Sequence, residues 1–266
     1  MPLAVCATPI GNLEDITLRV LRELDEADVV LCEDTRRTRV LLERHGVRTR
    51  LVSYHEHNEA RRTAEVLPRL MAGERIALVS DAGLPTVNDP GARLIAAARE
   101  AGVIVTVLPG PSAVETALAA SGYEFERYLF LGYLPRGIPA RTALWAEVAR
   151  WPHAAVAFES PVRLPASLAS LAQALPDRPL AVCRELTKVF EEVSRGSARE
   201  LATRFAVPPK GEITLVMGPA PVDGPEPEAL DAVALLVGEG LSRRKAVDIV
   251  SRVTGISRNR LYRGSL

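Results

Sequence analysis

The amino-acid sequence predicts an α/β protein: two α/β lobes followed by a small C-terminal helical module. Three observations point there. Short apolar runs enriched in β-branched residues alternate with longer segments of helical period through most of the chain. The stretch from Gly218 to Pro227 holds Pro and Gly at a density that no helix or central strand tolerates, so it reads as a linker. Beyond it only helical periodicity remains. At 266 residues and 47% hydrophobic content, the chain exceeds the usual single-domain size and can build more than one core. The expected units are residues 1–121 and 122–218 for the lobes, 219–227 for the linker and 228–266 for the module.

The first strand, Leu3–Ala7, is an unbroken apolar run. Pro9 and Gly11 in Thr8-Pro-Ile-Gly-Asn12 then stop the sheet and turn the backbone at its carboxyl end, the edge where open α/β sheets bind ligands. The loop is not GxGxxG, so a plain β-to-α turn is the competing reading. A helix over Ile16–Glu26 leads to the strand Val29–Cys32, which ends in Glu33-Asp34-Thr35-Arg36-Arg37 and passes into a helix over Arg36–His45. After a short apolar run comes His55-Glu56-His57-Asn58-Glu59, then a helix over Asn58–Ala72. Neither HExxH nor CxxC accompanies the two histidines, so substrate contact or helix capping is expected there and no metal.

The strand Ile76–Ser80 opens into a long loop, Ser80 to Gly91, rich in small, rigid and acidic residues. Gly83 permits close backbone approach, Pro85 fixes φ, and Asp81 can hydrogen-bond an amine or hydroxyl of a small ligand. Alternatively, Asp81 and Asn88 only hold turns and cap the helix Pro90–Ala101. The strand Val103–Leu108 gives way to Pro109-Gly110-Pro111-Ser112, and Ser112-Ala113-Val114-Glu115 fits a capping box for the helix Ala113–Ser121. The same turn offers free backbone N–H groups, where a ligand carboxylate is welcome.

In the second lobe, helices over Arg141–Arg150, Val162–Leu175 and Ala198–Phe205 alternate with strands Ala154–Phe158, Leu180–Cys183 and Ile213–Met217. In both lobes this alternation predicts mostly parallel sheets. Phe158-Glu159-Ser160-Pro161 and Arg184-Glu185-Leu186-Thr187-Lys188 place charges just after strands, and Lys210-Gly211-Glu212 precedes the last one. Such positions line clefts more often than cores, although ion pairs that orient the lobes would use them equally. The module reads as helices over Glu226–Val237, Ser242–Val253 and onward from about Ser257, with a break at Thr254-Gly255.

Basic and acidic residues balance at 33 each, which argues against a chain that coats nucleic acid with its whole surface but leaves room for a local basic face. Ser242–Leu266 offers one, with Arg243, Arg244, Lys245, Arg252, Arg258, Arg260 and Arg263 against the single acid Asp248. That asymmetry suits phosphate contact; a merely solvated helix face is the alternative. The first residues lack the build of a signal peptide, and no run approaches the roughly 18 apolar residues of a membrane span. A cytoplasmic protein without a membrane partner is therefore expected. Cys6, Cys32 and Cys183 each sit in an apolar run without CxxC spacing, so buried reduced thiols are expected rather than metal ligands or disulfides.

These motifs together resemble the tetrapyrrole-methylase superfamily, and within it the branch that methylates ribose 2′-hydroxyls of bacterial 16S ribosomal RNA. The likeness runs through Thr8-Pro-Ile-Gly-Asn12, Glu33-Asp-Thr-Arg36, His55-Glu-His-Asn58, Ser80-Asp-Ala-Gly83 with Pro85, Asn88-Asp-Pro-Gly91, Pro109-Gly-Pro-Ser112, Glu185-Leu-Thr-Lys188 and Lys210-Gly-Glu212. The Asp-x-Gly-x-Pro loop is shared across the superfamily, whereas Glu-Asp-Thr-Arg, His-Glu-His-Asn and Glu-Leu-Thr-Lys are particular to the ribosomal RNA branch. The resemblance implies a cofactor cleft between the lobes that holds a folded S-adenosyl-L-methionine, and a homodimer. It implies as substrate the cytidine at position 1402 of 16S ribosomal RNA, free or in the small ribosomal subunit. Leu84 stands where other members often carry Thr, a change that a backbone contact would survive.

The expected cofactor-binding set is Pro9, Gly11, Asp81, Ala82, Gly83, Leu84, Pro85, Pro109, Gly110, Ser112 and Ala113. The cofactor's sulfonium already activates the methyl group, so the protein has to align the 2′-oxygen and help remove a proton. Asp34, Glu185, Glu212 and His55 are candidate bases without a ranking; orientation alone, with proton loss to water, is the alternative. Arg36, His57, Lys188, Lys210, Arg243, Arg244 and Lys245 are expected on RNA, with Arg36 and Lys188 on phosphates beside the target nucleotide. The competing functions are a tetrapyrrole carbon methylase and a non-catalytic RNA-binding assembly factor. The basic module and the branch motifs speak against the first, and intact Asp81, Gly83, Pro85 and Pro109-Gly-Pro111 against the second.

Overall fold

The computed structural model describes residues 2–86, 89–220 and 226–265; Asn88 of the long loop and residues 221–225 of the expected linker lie outside them. The first lobe comprises β1 (Leu3–Cys6), α1 (Leu18–Glu26), β2 (Val29–Cys32), α2 (Thr35–Arg44), β3 (Leu51–Ser53), α3 (Glu59–Met71), β4 (Ile76–Val79), α4 (Ala92–Glu100), β5 (Val105–Leu108) and α5 (Ala113–Ser121). Its sheet runs β3-β2-β4-β1-β5 with every pair parallel, Leu3 standing opposite both Ile76 and Val105. β1, β2 and β4 are buried along their whole length, which is why they read as unbroken apolar runs. Val20, Leu24, Leu41 and Leu42 cover one face of the sheet, and Val66, Leu70, Leu94 and Ala98 the other. With all strands parallel, the loops after β1, β2 and β4 meet at one edge.

The second lobe comprises β6 (Tyr128–Tyr133), α6 (Ile138–Arg150), β7 (Ala154–Glu159), α7 (Leu164–Ala174), β8 (Pro179–Arg184), β9 (Glu192–Ser197), α8 (Ala198–Arg204) and β10 (Ile213–Met217). The order is β6-β7-β10-β8-β9, and only β6 and β7 are parallel. This corrects the expectation of a mostly parallel sheet. β8 and β9 form a hairpin with no crossover helix, and β10 inserts antiparallel between β7 and β8, a topology that alternating elements do not reveal. α6, α7 and α8 cover one face, through Trp145, Val148, Leu168, Leu171 and Leu201. The other face is covered by α5 of the first lobe: Val114, Ala117 and Leu118 pack with Ile10 and Leu186 on Ala154, Val156, Ala181, Cys183 and Val216.

Arg178, 3% exposed, ties this lobe together by donating to the carbonyls of Trp151, His153 and Gly218. Burial pushes its pKa down to about 10. The three cysteines are buried and free. The module, α9 (Glu226–Gly238), α10 (Arg243–Thr254) and α11 (Arg258–Gly264), builds its own core from Ala229, Val233, Ala246, Val247, Val250, Ile256 and Leu261. Ser242 caps α10 by accepting from the Lys245 N–H, and Gly255 ends it at φ 74°. Among the described residues no helix is long and apolar enough to cross a membrane.

Candidate active site

Asp81 ties the carboxyl-edge loops of the first lobe into one frame. Its Oδ1 accepts the Asp34 N–H at 3.0 Å, and its Oδ2 pairs with Arg37 at 3.3 Å. Thr8 and Gly83 exchange both backbone hydrogen bonds, and Thr8 Oγ1 donates to the Ser80 carbonyl at 3.0 Å.

The second lobe closes on this frame through Glu185-Leu-Thr-Lys188, where Glu185 and Thr187 adopt φ of 52° and 66°. Thr187 Oγ1 accepts the Asn12 N–H at 3.0 Å. The approach requires glycine at position 11, since a Cβ there would stand 2.6 Å from Lys188 Cγ. Lys188 Nζ donates to Glu185 Oε1 at 2.8 Å and to Glu212 Oε2 at 2.9 Å, while Glu185 Oε1 also accepts the Glu212 N–H at 2.9 Å. Gly211, at φ 97°, makes room for this carboxylate, because a Cβ there would run into the Glu185 side chain.

Two cavities adjoin under this clasp. The larger, about 550 Å³, lies between the lobes and is lined by Ile10, Asp81, Ala82, Gly83, Leu84, Ser112, Ala113 and Val114 from one side and Phe158, Glu159, Leu186, Ile213 and Thr214 from the other. The smaller, about 370 Å³, is lined by Pro9, Gly11, Leu13, Val40, Leu41 and Lys188. Ile10, Arg37, Asp81, Ala82 and Glu212 belong to the walls of both.

The larger cavity is rich in acid: Glu33, Asp81, Asp89, Glu159 and Glu212 line it with Arg37. Burial and then the neighbouring Asp81 push Glu33 upward; burial and then Glu33 push Asp89 up to about 6. Glu159 is fully buried, is ion-paired with Arg163, and accepts from Ser167 Oγ at 2.5 Å and the Ser160 N–H at 2.7 Å, so its charge is already matched. Carboxylates set among Ile10, Val114, Phe158 and Ile213 suit a ligand that combines fixed positive charge with a flat apolar group. At the α5 start, Ser112 does not form the expected capping box. Its hydroxyl donates to the Glu115 carboxylate and caps no backbone group, which leaves first-turn N–H groups for a ligand carboxylate. The residues present thus fit S-adenosylmethionine, with its sulfonium, ammonium, carboxylate and adenine.

Of the expected cofactor set, Asp81, Ala82, Gly83, Leu84, Ser112 and Ala113 line the larger cavity, and Pro9 and Gly11 the smaller. Pro85, Pro109 and Gly110 line neither; Gly110 instead lets its loop pack on Ala7, whose Cβ would be 2.9 Å from an added Cβ. Of the four candidate bases, only Glu212 lines the cavities. Asp34 caps α2 through the Arg36 N–H, and its carboxylate is gripped by Arg36 Nε and Nη2, contacts that hold it far below the usual range. Glu185 is likewise held low by Lys188 and the Glu212 N–H. His55 Nε2 meets Asn58 Nδ2 at 3.2 Å, and its Nδ1 is buried without a partner among the described residues.

Among the residues expected on RNA, Lys188 lines the smaller cavity, whereas Arg36 (89% exposed), His57 and Lys210 lie outside both. Arg243, Arg244 and Lys245 are exposed on α10 without an ion pair among the described residues; Arg252 and Arg258 both pair with Asp248. The side chains of Arg260 and Arg263 lie outside the described residues. Residues that line the cavities but received no individual role from the sequence include Arg37, Asp89 and Thr214. Arg37 stands one helical turn before Leu41 on α2, at the exposed rim of the cleft rather than on the buried face of the helix. Among the described residues no group of three His, Cys, Asp or Glu side chains is placed to hold a metal ion.

The tetrapyrrole (corrin/porphyrin) methylases match residues 2–202, and the RsmI C-terminal HTH domain matches residues 223–264. The chain is 44% identical over 264 residues to the "Ribosomal RNA small subunit methyltransferase I" of Mesorhizobium japonicum, covering 98% of this chain and 90% of that protein. It is 42% identical over 216 residues to the protein of the same name from Thermotoga maritima, covering 81% and 97%. The fold is also that of the methyltransferase CobJ, with a TM-score of 0.62 at 20% identity over 82% of this chain and 94% of that one. Two lobes around such a cleft make this an S-adenosylmethionine-dependent methyltransferase. The chain belongs to the tetrapyrrole (corrin/porphyrin) methylase family.

Proposed function

We propose that the protein methylates the ribose 2′-hydroxyl of a cytidine, that at position 1402, in 16S ribosomal RNA, as a homodimer acting on free RNA or on the small subunit. The observation that carries this reading is the reach of the likeness: it spans both lobes and continues through the helical module, where Arg243, Arg244 and Lys245 offer exposed cations for phosphate.

Bound in the larger cavity, the cofactor supplies an activated methyl group. The chain's own residues do the rest. Asp81, Asp89 and Ser112 hold the cofactor's charged ends, and Phe158 with Ile10 supplies apolar wall. Arg37, Asp81 and Glu212, common to both cavities, hold the acceptor ribose where the cavities meet. Glu212 is the base of choice among the four candidates, since it alone lines the cavities, while Asp34 and Glu185 are held low by the donors around them. A carboxylate in reach of the hydroxyl adds about 10²–10⁴-fold, and positioning supplies the larger share. For the homodimer, support comes from β5, an edge strand flanked by exposed Ile104 and carrying exposed Val107.

The test is incubation with labelled S-adenosylmethionine and small ribosomal subunits lacking the modification, followed by nuclease digestion and mass spectrometry. Label on a cytidine 2′-oxygen is expected. No label on subunits or free ribosomal RNA, despite measured cofactor binding, overturns the reading. Sedimentation reads the oligomeric state.

A further inference from the structure

The smaller cavity adjoins the one assigned to the cofactor, and its lining is of two kinds. Leu13, Val40 and Leu41 form an apolar side; Arg37, Asp81, Lys188 and Glu212 form a polar one. The two cations and two carboxylates of the lining already have opposite charges beside them, Arg37 with Asp81 at 3.3 Å and Lys188 with Glu212 at 2.9 Å, Lys188 being shared with Glu185. A neutral alternation of donors and acceptors has little net attraction for a phosphate, but it satisfies hydroxyl groups that both give and accept hydrogen bonds. The apolar side suits the face of an unstacked base. At about 370 Å³ the space lies within the range of small-ligand sites.

We propose that the smaller cavity receives the nucleoside of the target residue, extruded from the RNA. The base lies along Leu13, Val40 and Leu41, and the ribose hydroxyls face Arg37, Asp81, Lys188 and Glu212. This rests on the ribosomal RNA reading above and deepens it. The shared wall carries the argument: methyl transfer needs the acceptor oxygen about 3–3.5 Å from the methyl carbon, and the two cavities meet at Arg37, Asp81 and Glu212. Lys188 then serves the sugar rather than a phosphate. Gly11 contributes by leaving its position clear, so that the Lys188 stem can close the wall.

Val40, 57% exposed on α2, sits in the lining without belonging to the cores, so Val40→Trp fills the cavity with little risk to folding. Met71→Trp, at 64% exposed on α3, is the control for an added surface indole. Three readouts are needed: S-adenosylmethionine affinity by calorimetry, methylation of small subunits, and saturation-transfer NMR with free cytidine in the presence of S-adenosylhomocysteine. For Val40→Trp the expected result is cofactor affinity within about twofold of the unaltered protein, methylation lower by about 100-fold or more, and loss of the cytidine signal. Methylation within about threefold, or a cytidine signal that persists or never appears with the unaltered protein, overturns the proposal. Loss of cofactor binding also overturns it, since the cavity would then belong to the cofactor. If melting shows Val40→Trp to be unfolded, Leu13→Phe takes its place under the same criteria. Cytidine uptake that depends on Val40, with subunits left unmethylated, supports the cavity assignment and overturns the ribosomal reading alone.

Discussion

Lowering the pH from 7 to 5 protonates Asp89, and the larger cavity should then release its cofactor more readily. The carboxyl is pushed from its ordinary 3.8 up to about 6 by burial and then by Glu33. A ligand with sulfonium and ammonium charges favours the ionised form and returns it toward the ordinary range, so binding below pH 6 must expel a proton. With about 6 in the free protein and near 3.8 in the complex, linkage gives about a tenfold loss of affinity from pH 7 to pH 5 and almost none from pH 8 to 7. Calorimetry in buffers of different ionisation enthalpy reads both quantities, the affinity and about one proton released at pH 5. Asp89→Asn should bind more weakly at pH 7 and keep only the shallow slope that Glu33, also pushed up by burial, contributes. The sign for the free protein is opposite. Because the folded-state value is raised, the stability contributed by protonated Asp89 is full below its unfolded value and lost as pH rises through about 6. A flat affinity between pH 5 and 8, or the full slope in Asp89→Asn, refutes the reasoning.

Arg178→Ala removes a buried donor from the carbonyls of Trp151, His153 and Gly218, and urea unfolding should show a loss of about 2–4 kcal/mol; less than about 1 would mean that water replaces it. Gly211→Ala meets both φ 97° and the Glu185 side chain, so stability should fall by more than about 1 kcal/mol, with subunit methylation reduced as the clasp loosens. Arg243→Ala combined with Arg244→Ala and Lys245→Ala should leave cofactor affinity unchanged. It should weaken subunit binding and lower the slope of log affinity against log salt by about 2 to 3. An unchanged slope would remove the module from the RNA contact.

What the sequence discloses follows what each residue is for. Strands buried on both faces, such as Val29–Cys32 and Ile213–Met217, appear in the sequence with their observed boundaries, as does α5 with its apolar residues. β9 does not. Glu192-Val-Ser-Arg-Gly-Ser carries no local strand signal and owes its conformation to pairing with β8, while β6 is a half-exposed edge strand whose register shifts between Phe130 and Tyr133. In the site, loops rich in Gly, Pro, Asp and Ser are legible as strand-end features, but the duty of each side chain is not. Arg36 and Arg37 are neighbours in the chain and both exposed, yet about 100° of helical rotation turns one onto Asp34 and the other onto Asp81 at the rim of both cavities. Ser112 shows the same limit, since its spacing to Glu115 matches a capping box while the two side chains simply bond each other.

Helix α5 has a consequence for how the molecule comes into being. Although it closes the first lobe in sequence order, its apolar residues roof the second sheet over Ala154, Val156, Ala181, Cys183 and Val216. A chain severed after Ser121 would deprive the second lobe of that roof and leave the helix with nothing to cover. The covalent order and the physical partition therefore disagree, and the lobes should melt together in one transition, each completing the other's interior as it folds.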